Sequence, residues 1–231
     1  MTRLTTMTAS EILATLKRAG KPQTAAIYKH YGTGDNVFGT LTSEIGKLLK
    51  KIKVDHALAL ELWKTGNAEA RALALQIADP QKVTRALADR FLADGPVRFL
   101  GAYLAPLIAR SPIAEKTMRD WMKSAAGATR EMGYTILCAR LRDDADAISD
   151  ADAGKVLVTI EKQIHKSPNW ARYAMNSAVI AIGVWRPKVR QEALAAATRI
   201  GRVDVDHGDT YCKTPEAVSY IKKAATRADR V

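Results

Sequence analysis

Apolar residues along this chain recur at the three- and four-residue spacing of amphipathic helices, and almost nowhere at the two-residue spacing of a strand. The short VDVD at 203–206 is the one candidate for strand alternation, so the pattern predicts an all-α protein. Helix-start signals punctuate it: Thr8 with Glu11, Asn67 ahead of AEARALALQIA, Ser111-Pro112, Ser167-Pro168 and Thr214-Pro215-Glu216. Each offers a side-chain acceptor to a first turn whose N–H groups lack an intrahelical partner, and proline is tolerated there for the same reason. The spacing predicts helices over 8–19, 22–30, 41–53, 55–65, 67–78, 81–93, 96–109, 112–125, 127–142, 151–165, 168–183, 187–201 and 215–228.

Most of these helices are joined by very short turns, which makes consecutive helices antiparallel neighbours. About twelve to thirteen helices exceed what one four-helix bundle can hold. Stacked helical pairs, as in a HEAT-like α-helical repeat solenoid (an alpha-alpha superhelix), accommodate that number; an irregular compact bundle is the alternative. No strict sequence period is visible, and no linker rich in Pro, Gly or Ser interrupts the chain. One continuous helical-repeat domain over 1–231 is therefore expected, with an N-terminal capping helix in 1–27 and an ordered loop over 202–214 before the last helix.

Charge narrows the choice of partner. The formal net charge is +12 and the pI near 9.8, which points to an anionic partner, with nucleic acid first among candidates. The surplus sits at the two ends: nine Lys/Arg against three acids in 1–53, and fourteen against seven in 155–231, whereas 111–154 carries six against eight. The two cysteines, Cys138 and Cys212, do not indicate a disulfide framework. The N-terminal MTRLTTMTASEI has no apolar h-region, and no run approaches the roughly 18 apolar residues of a spanning helix, so a soluble cytoplasmic protein is expected.

Three stretches could carry chemistry. YGTGDNVFG, from Tyr31 to Gly39, has three glycines but lacks the Lys-Ser/Thr ending of a P-loop and follows no strand. It reads as a turn; a looser reading has its N–H groups hold a phosphate backbone with Lys47, Lys50, Lys51 and Lys53 of the next helix. VDVDHGDTYCKTP carries Asp204, Asp206, His207, Asp209 and Cys212, yet a single histidine and a single cysteine match no standard zinc spacing. An ordered loop that caps the last helix through Thr214 is the better reading, and no metal is expected.

The third is a repeated arrangement. Arg130, Tyr134 and Leu137 fall at i, i+4, i+7 on one helix, and Arg172, Asn176 and Val179 repeat it in NWARYAMNSAVIAIGVW. Polar groups in so apolar a run need a partner, either structural or a ligand. Arginines interleaved with Trp121, Tyr134, Trp170 and Tyr173 would suit a nucleic-acid groove, with guanidinium groups for phosphates and rings for sugars or bases. The alternative is snorkelling arginines and core aromatics.

FGTLTSEIGKLLKKIKVDHALALELWKTGNAEARALALQIADP (38–80), NWARYAMNSAVIAIG (169–183) and GRVDVDHGDTYCKTPEAVSYIKKA (201–224) together resemble the bacterial DNA-alkylation-repair family of the AlkD type, from about residue 28 to 225. The resemblance implies a HEAT-like solenoid with a basic concave face on double-stranded, alkylated DNA. It also implies a monomeric, nucleoid-associated protein that releases 3-methyladenine or 7-methylguanine without metal or other cofactor. There an aspartate stabilises the developing sugar cation, an electrostatic contribution, while tryptophans shape a cleft and an arginine holds the phosphate. Carried over by resemblance, the arginine falls on Arg130, the aspartate on Ala102, its partner tryptophan on Arg98 and the second tryptophan on Ser177. Three of those four positions depart from the family pattern. Asp94 is left as a displaced catalytic candidate beside Arg130. By the same resemblance Arg172 and Asn176 border the DNA-facing cleft, and a non-catalytic module for damaged or branched DNA is the alternative function.

Overall fold

The computed structural model describes residues 7–208 and 212–228. Among them the chain forms thirteen α-helices and no strand; the VDVD segment is irregular, and the single β-bridge joins Gly20 to Thr40. The chain divides into two compact units, Met1–Ile113 and Ala114–Val231.

The first unit contains α1 (Ala9–Ala19), α2 (Pro22–His30), α3 (Thr42–Ile52), α4 (His56–Lys64), α5 (Ala68–Ile77), α6 (Arg85–Asp94) and α7 (Val97–Ala109). Its centre is α5, which packs on α1, α3, α4 and α7. The sequence explains why: Ala68, Ala70, Ala72 and Ala74 let neighbours approach closely, and Leu73, Leu75 and Ile77 fill the space between them. Thr8 and Glu11 form the expected capping box on α1, and Asn67 caps α5 by accepting from the N–H of Ala70 at 3.0 Å.

The second unit contains α8 (Ala114–Met122), α9 (Gly127–Asp143), α10 (Asp150–Gln163), α11 (Asn169–Trp185), α12 (Arg190–Ile200) and α13 (Ala217–Ala228). Successive pairs α8/α9, α10/α11 and α12/α13 stack so that α9, α11 and α13 pack side by side, with α10 against α12 behind them. This is the helical-pair stacking of a HEAT-like repeat. Again the middle helix is nearly all apolar: α11 buries eleven residues, with Asn176 the polar exception.

Three of the anticipated caps act otherwise. Ser111 donates to the carbonyl of Ile108 at 2.7 Å and so finishes α7. Ser167 donates to the carbonyl of Gln163 at 2.9 Å, closing the turn before α11. Thr214 pairs with His207, and the first turn of α13 is capped by Glu216, which accepts from the N–H groups of Val218 and Ser219 at 3.0 and 2.7 Å. A hydroxyl beside proline closes one turn as readily as it opens the next, and tertiary neighbours decide which.

Candidate functional site

In the first unit the last N–H groups of the glycine-rich loop turn inward. Glu69, fully buried on α5, accepts from the backbone N–H of Phe38, Gly39 and Thr40 at 3.0, 2.5 and 3.0 Å. The backbone cradle is filled by the protein's own carboxylate, whose charge strengthens each bond. The lysines of α3 remain on the solvent side, since Ile45 and Leu48 take the buried face. Lys47 pairs with Glu44 at 2.8 Å, and Lys50 and Lys51 are exposed.

Asp94 ends α6 with an exposed side chain. Its carboxylate accepts from the indole N–H of the core residue Trp63 at 3.3 Å, and its carbonyl accepts from Arg71 at 2.6 Å. Arg71 in turn lies over the Trp63 ring, 4.8 Å from its centre. Arg98 is exposed and stacks on Tyr31 at 5.3 Å; Ala102, one turn further along α7, presents only a methyl group to solvent.

The second unit brings the two repeated arginines to one edge. Arg130, in the first turn of α9, donates to the carbonyl of Ser124 at 2.8 Å and to the Ser167 hydroxyl at 3.2 Å, just before α11 begins. A methyl group added at Gly127 would lie 2.9 Å from Pro168, so the N-terminal ends of α9 and α11 are adjacent. Neither helix has a side-chain cap: Ala126 and Pro168 occupy the cap positions. The first-turn N–H groups of both helices and their dipoles therefore act together at this edge, which favours an anion. Among the described residues no carboxylate pairs with Arg130 or Arg172.

Arg172 donates to the carbonyl of Asp204 at 2.7 Å, while its Nε is buried without a partner among the described residues. Asn176, 3% exposed, donates to the carbonyl of Pro215 at 3.0 Å, and Asn169 exchanges two bonds with the backbone of Asp206, at 2.7 and 2.8 Å. These residues hold the strap that joins α12 to α13 against α11 at Asp204, Asp206 and Pro215. Asn176 thus has a structural partner, the backbone of Pro215. Trp121 and Tyr134 are each 2% exposed and belong to the core, which corrects the expectation that their rings are available at the surface for sugars or bases. Burial pushes the Tyr134 hydroxyl up to about 12, against the opposing charge of Arg130. Trp170 stays half-buried, its ring edge-on to Tyr173 and His207 at 6.1 and 5.6 Å.

No metal-ligating cluster forms among the described residues: His207 pairs with Thr214 at 3.0 Å, and Asp209 lies outside those described. Nor is any helix among them long and apolar enough to cross a membrane. Sequence reasoning overlooked Glu69 and Asn169. Glu69 was disguised because an acid in a first turn already complements the helix dipole.

Stacked helical pairs of this kind are those of a HEAT-like repeat protein. The chain matches the family described as DNA alkylation repair enzyme over residues 12–221 and belongs to it. It is 27% identical to the uncharacterized protein Lin0241 of Listeria innocua, across 93% of this chain and 96% of that one. It is 25% identical to Lmo0209 of Listeria monocytogenes, across 92% and 95%. A solved structure superposes with a TM-score of 0.87 at 27% identity, covering 96% of this chain and 95% of that one. It comes from a family of proteins related to the HEAT-like repeat DNA glycosylases with affinity for branched DNA structures.

Proposed function

We propose that this protein binds DNA by its phosphate backbone, at branched or otherwise distorted points, without excising bases. The observation that carries this reading is the shared edge of α9 and α11: two adjacent uncapped helix ends, with Arg130 and Arg172 fixed by neutral acceptors and their charge left for an outside anion. Directed guanidinium groups and free N–H groups bind phosphates and carry no sequence information, as shape-directed recognition requires. The branched-DNA affinity of the structural relative supports the choice of DNA, and the exposed lysines of α3 supply further positive charge.

The absence of excision rests on Ala102, an exposed methyl group where the family's aspartate would stand, and on Ser177, whose hydroxyl donates to the carbonyl of Tyr173 at 3.0 Å. Excision of alkylated purines is the second reading, favoured by the family's description, with Asp94 as the carboxylate and Arg130 on the phosphate. Two measurements decide. Anisotropy titrations should show tighter binding to a three-way junction than to linear duplex, with log K falling by about 0.9 per phosphate neutralised as log salt rises. Arg130→Ala should weaken both complexes. Methylated duplex incubated with the protein should release no free base; release above a heat-killed control, abolished by Asp94→Asn, establishes excision instead.

A further inference from the structure

Every other helix of the first unit buries at least two of its residues; α2 buries none. Its one large aliphatic side chain, Ile27, is 55% exposed. The inward face is set instead by Ala25 and Tyr28. A methyl group added at Gly39 would lie 2.5 Å from the backbone nitrogen of Ala25. Tyr28 donates to the carbonyl of Thr40 at 3.1 Å, and its ring tilts against Phe99 at 4.8 Å. At the start of the helix the N–H of Lys21 donates to the carbonyl of Gly39 at 3.1 Å. Gly39 and Thr40 are the residues that Glu69 anchors, so α2 is mounted on a held loop although it buries nothing itself.

With Ala25 and Tyr28 turned inward, helical spacing puts Gln23, Ala26, Ile27 and His30 on the outward stripe, and all four are exposed. An aliphatic group in the middle of the solvent face, between an amide and an imidazole, reverses the usual order of a surface helix. A lone exposed apolar residue needs no explanation, but the charges around this one have a single sign. The helix contains no carboxylate, and Lys17, Arg18 and Lys21 lead into it, exposed and without a carboxylate partner among the described residues. Lys29 meets Asp35 at 2.7 Å across two exposed side chains, a weak kind of pair that a phosphate can displace. A standard protein interface takes about 800 Å² from each partner, far more than one face of a nine-residue helix offers. A base step of DNA can be engaged by one apolar side chain with cations beside it.

We infer that α2 is a wedge for branched DNA: Ile27 enters beside a base pair at the branch, Gln23 and His30 meet the groove edges flanking it, and Arg18 and Lys21 take the phosphates. The inference rests on the DNA-binding reading above and names the element that opens the DNA. Aliphatic side chains act in this way in the minor groove, parting a base step while polar neighbours hold its edges. Unstacking costs least where pairing is already interrupted, so a wedge favours a branch over linear duplex at equal charge.

The test uses the full chain with a three-way junction carrying 2-aminopurine in the pair next to the branch, and a linear duplex carrying it internally. Ile27→Ala removes the wedge without changing charge, Ile27→Leu keeps it, and circular dichroism checks that both fold. Wild type should brighten the junction probe on binding, as an unstacked 2-aminopurine does. Ile27→Ala should lose that rise and bind the junction about fivefold more weakly, the worth of the exposed half of one aliphatic side chain. It should bind linear duplex as wild type does, and Ile27→Leu should restore both junction signals. Wild type that binds the junction without brightening it, or a folded Ile27→Ala that keeps both rise and affinity, overturns the wedge and leaves the backbone-binding reading in place. Arg130→Ala tests that reading separately: it should weaken both probes yet keep the rise at saturation. Wild type that binds neither probe removes both. A dimer in light scattering that Ile27→Ala converts to monomer would give this face to a second copy of the chain and also overturn the wedge.

Discussion

The two units tie down their irregular segments with opposite chemistry. In the first, a central helix offers an anion: Glu69 of α5 gathers three backbone N–H groups of the loop 38–40. In the second, a central helix offers donors: Asn169, Arg172 and Asn176 of α11 gather the carbonyls of Asp206, Asp204 and Pro215. One attachment is fully buried and the other is partly wet. A polar residue inside an apolar helix here reports an attached segment, and whether water can replace it sets its energetic weight.

Breaking the buried attachment should have the largest effect. Glu69→Ala leaves three N–H groups without their acceptor and should cost on the order of 3 kcal/mol in urea unfolding, with Glu69→Gln recovering part. A loss below 1 kcal/mol would show that water serves the loop equally well. Gly39→Ala comes next, at about 2–3 kcal/mol. Its backbone sits at φ +78, and a methyl group would fall 2.1 Å from the carbonyl of Lys21. Gly201, at φ +67 with open space around it, is the matched control in the second unit and should cost only about 1 kcal/mol.

Arg172→Ala should cost about 1–2 kcal/mol, and mostly locally. Amide exchange should rise across 203–208 while the amides of α9 keep their protection; equal acceleration throughout would mean that the strap and the helical core open together. The smallest effect is acid sensitivity. Burial pushes the Glu115 carboxyl up, but hydrogen bonds from Arg140 and Arg119 outweigh it and hold it below the usual 4.5. Arg119 likewise lowers Asp152 below 3.8, joining α8 to α10. A carboxyl depressed by folding contributes its stability in full above the unfolded value and loses it as pH falls through the folded one. The melting temperature should therefore decline between about pH 5 and pH 3, and Glu115→Gln should flatten that decline.

The helices were legible because caps and periodicity agree locally, and all thirteen predicted spans overlap the observed ones. What was not legible depended on partners distant in sequence. Periodicity put Arg130 and Tyr134 on a common stripe, but it could not say that Tyr134 turns into the core while Arg130 reaches Ser124 and Ser167. The stripe of Arg172 and Asn176 was visible as an anomaly. Its answer lay more than thirty residues downstream in backbone carbonyls, which leave no trace in side-chain identity. Asp94 had no sequence sign of its bond to Trp63, since their helices meet only in the folded unit.

Because α11 grips the strap by main-chain oxygens, it recognises a path and not a sequence. Any residue placed at 204 or 215 still offers a carbonyl to Arg172 or Asn176. Those two positions are in that respect exchangeable, places where new side chains can be grafted without rebuilding their support.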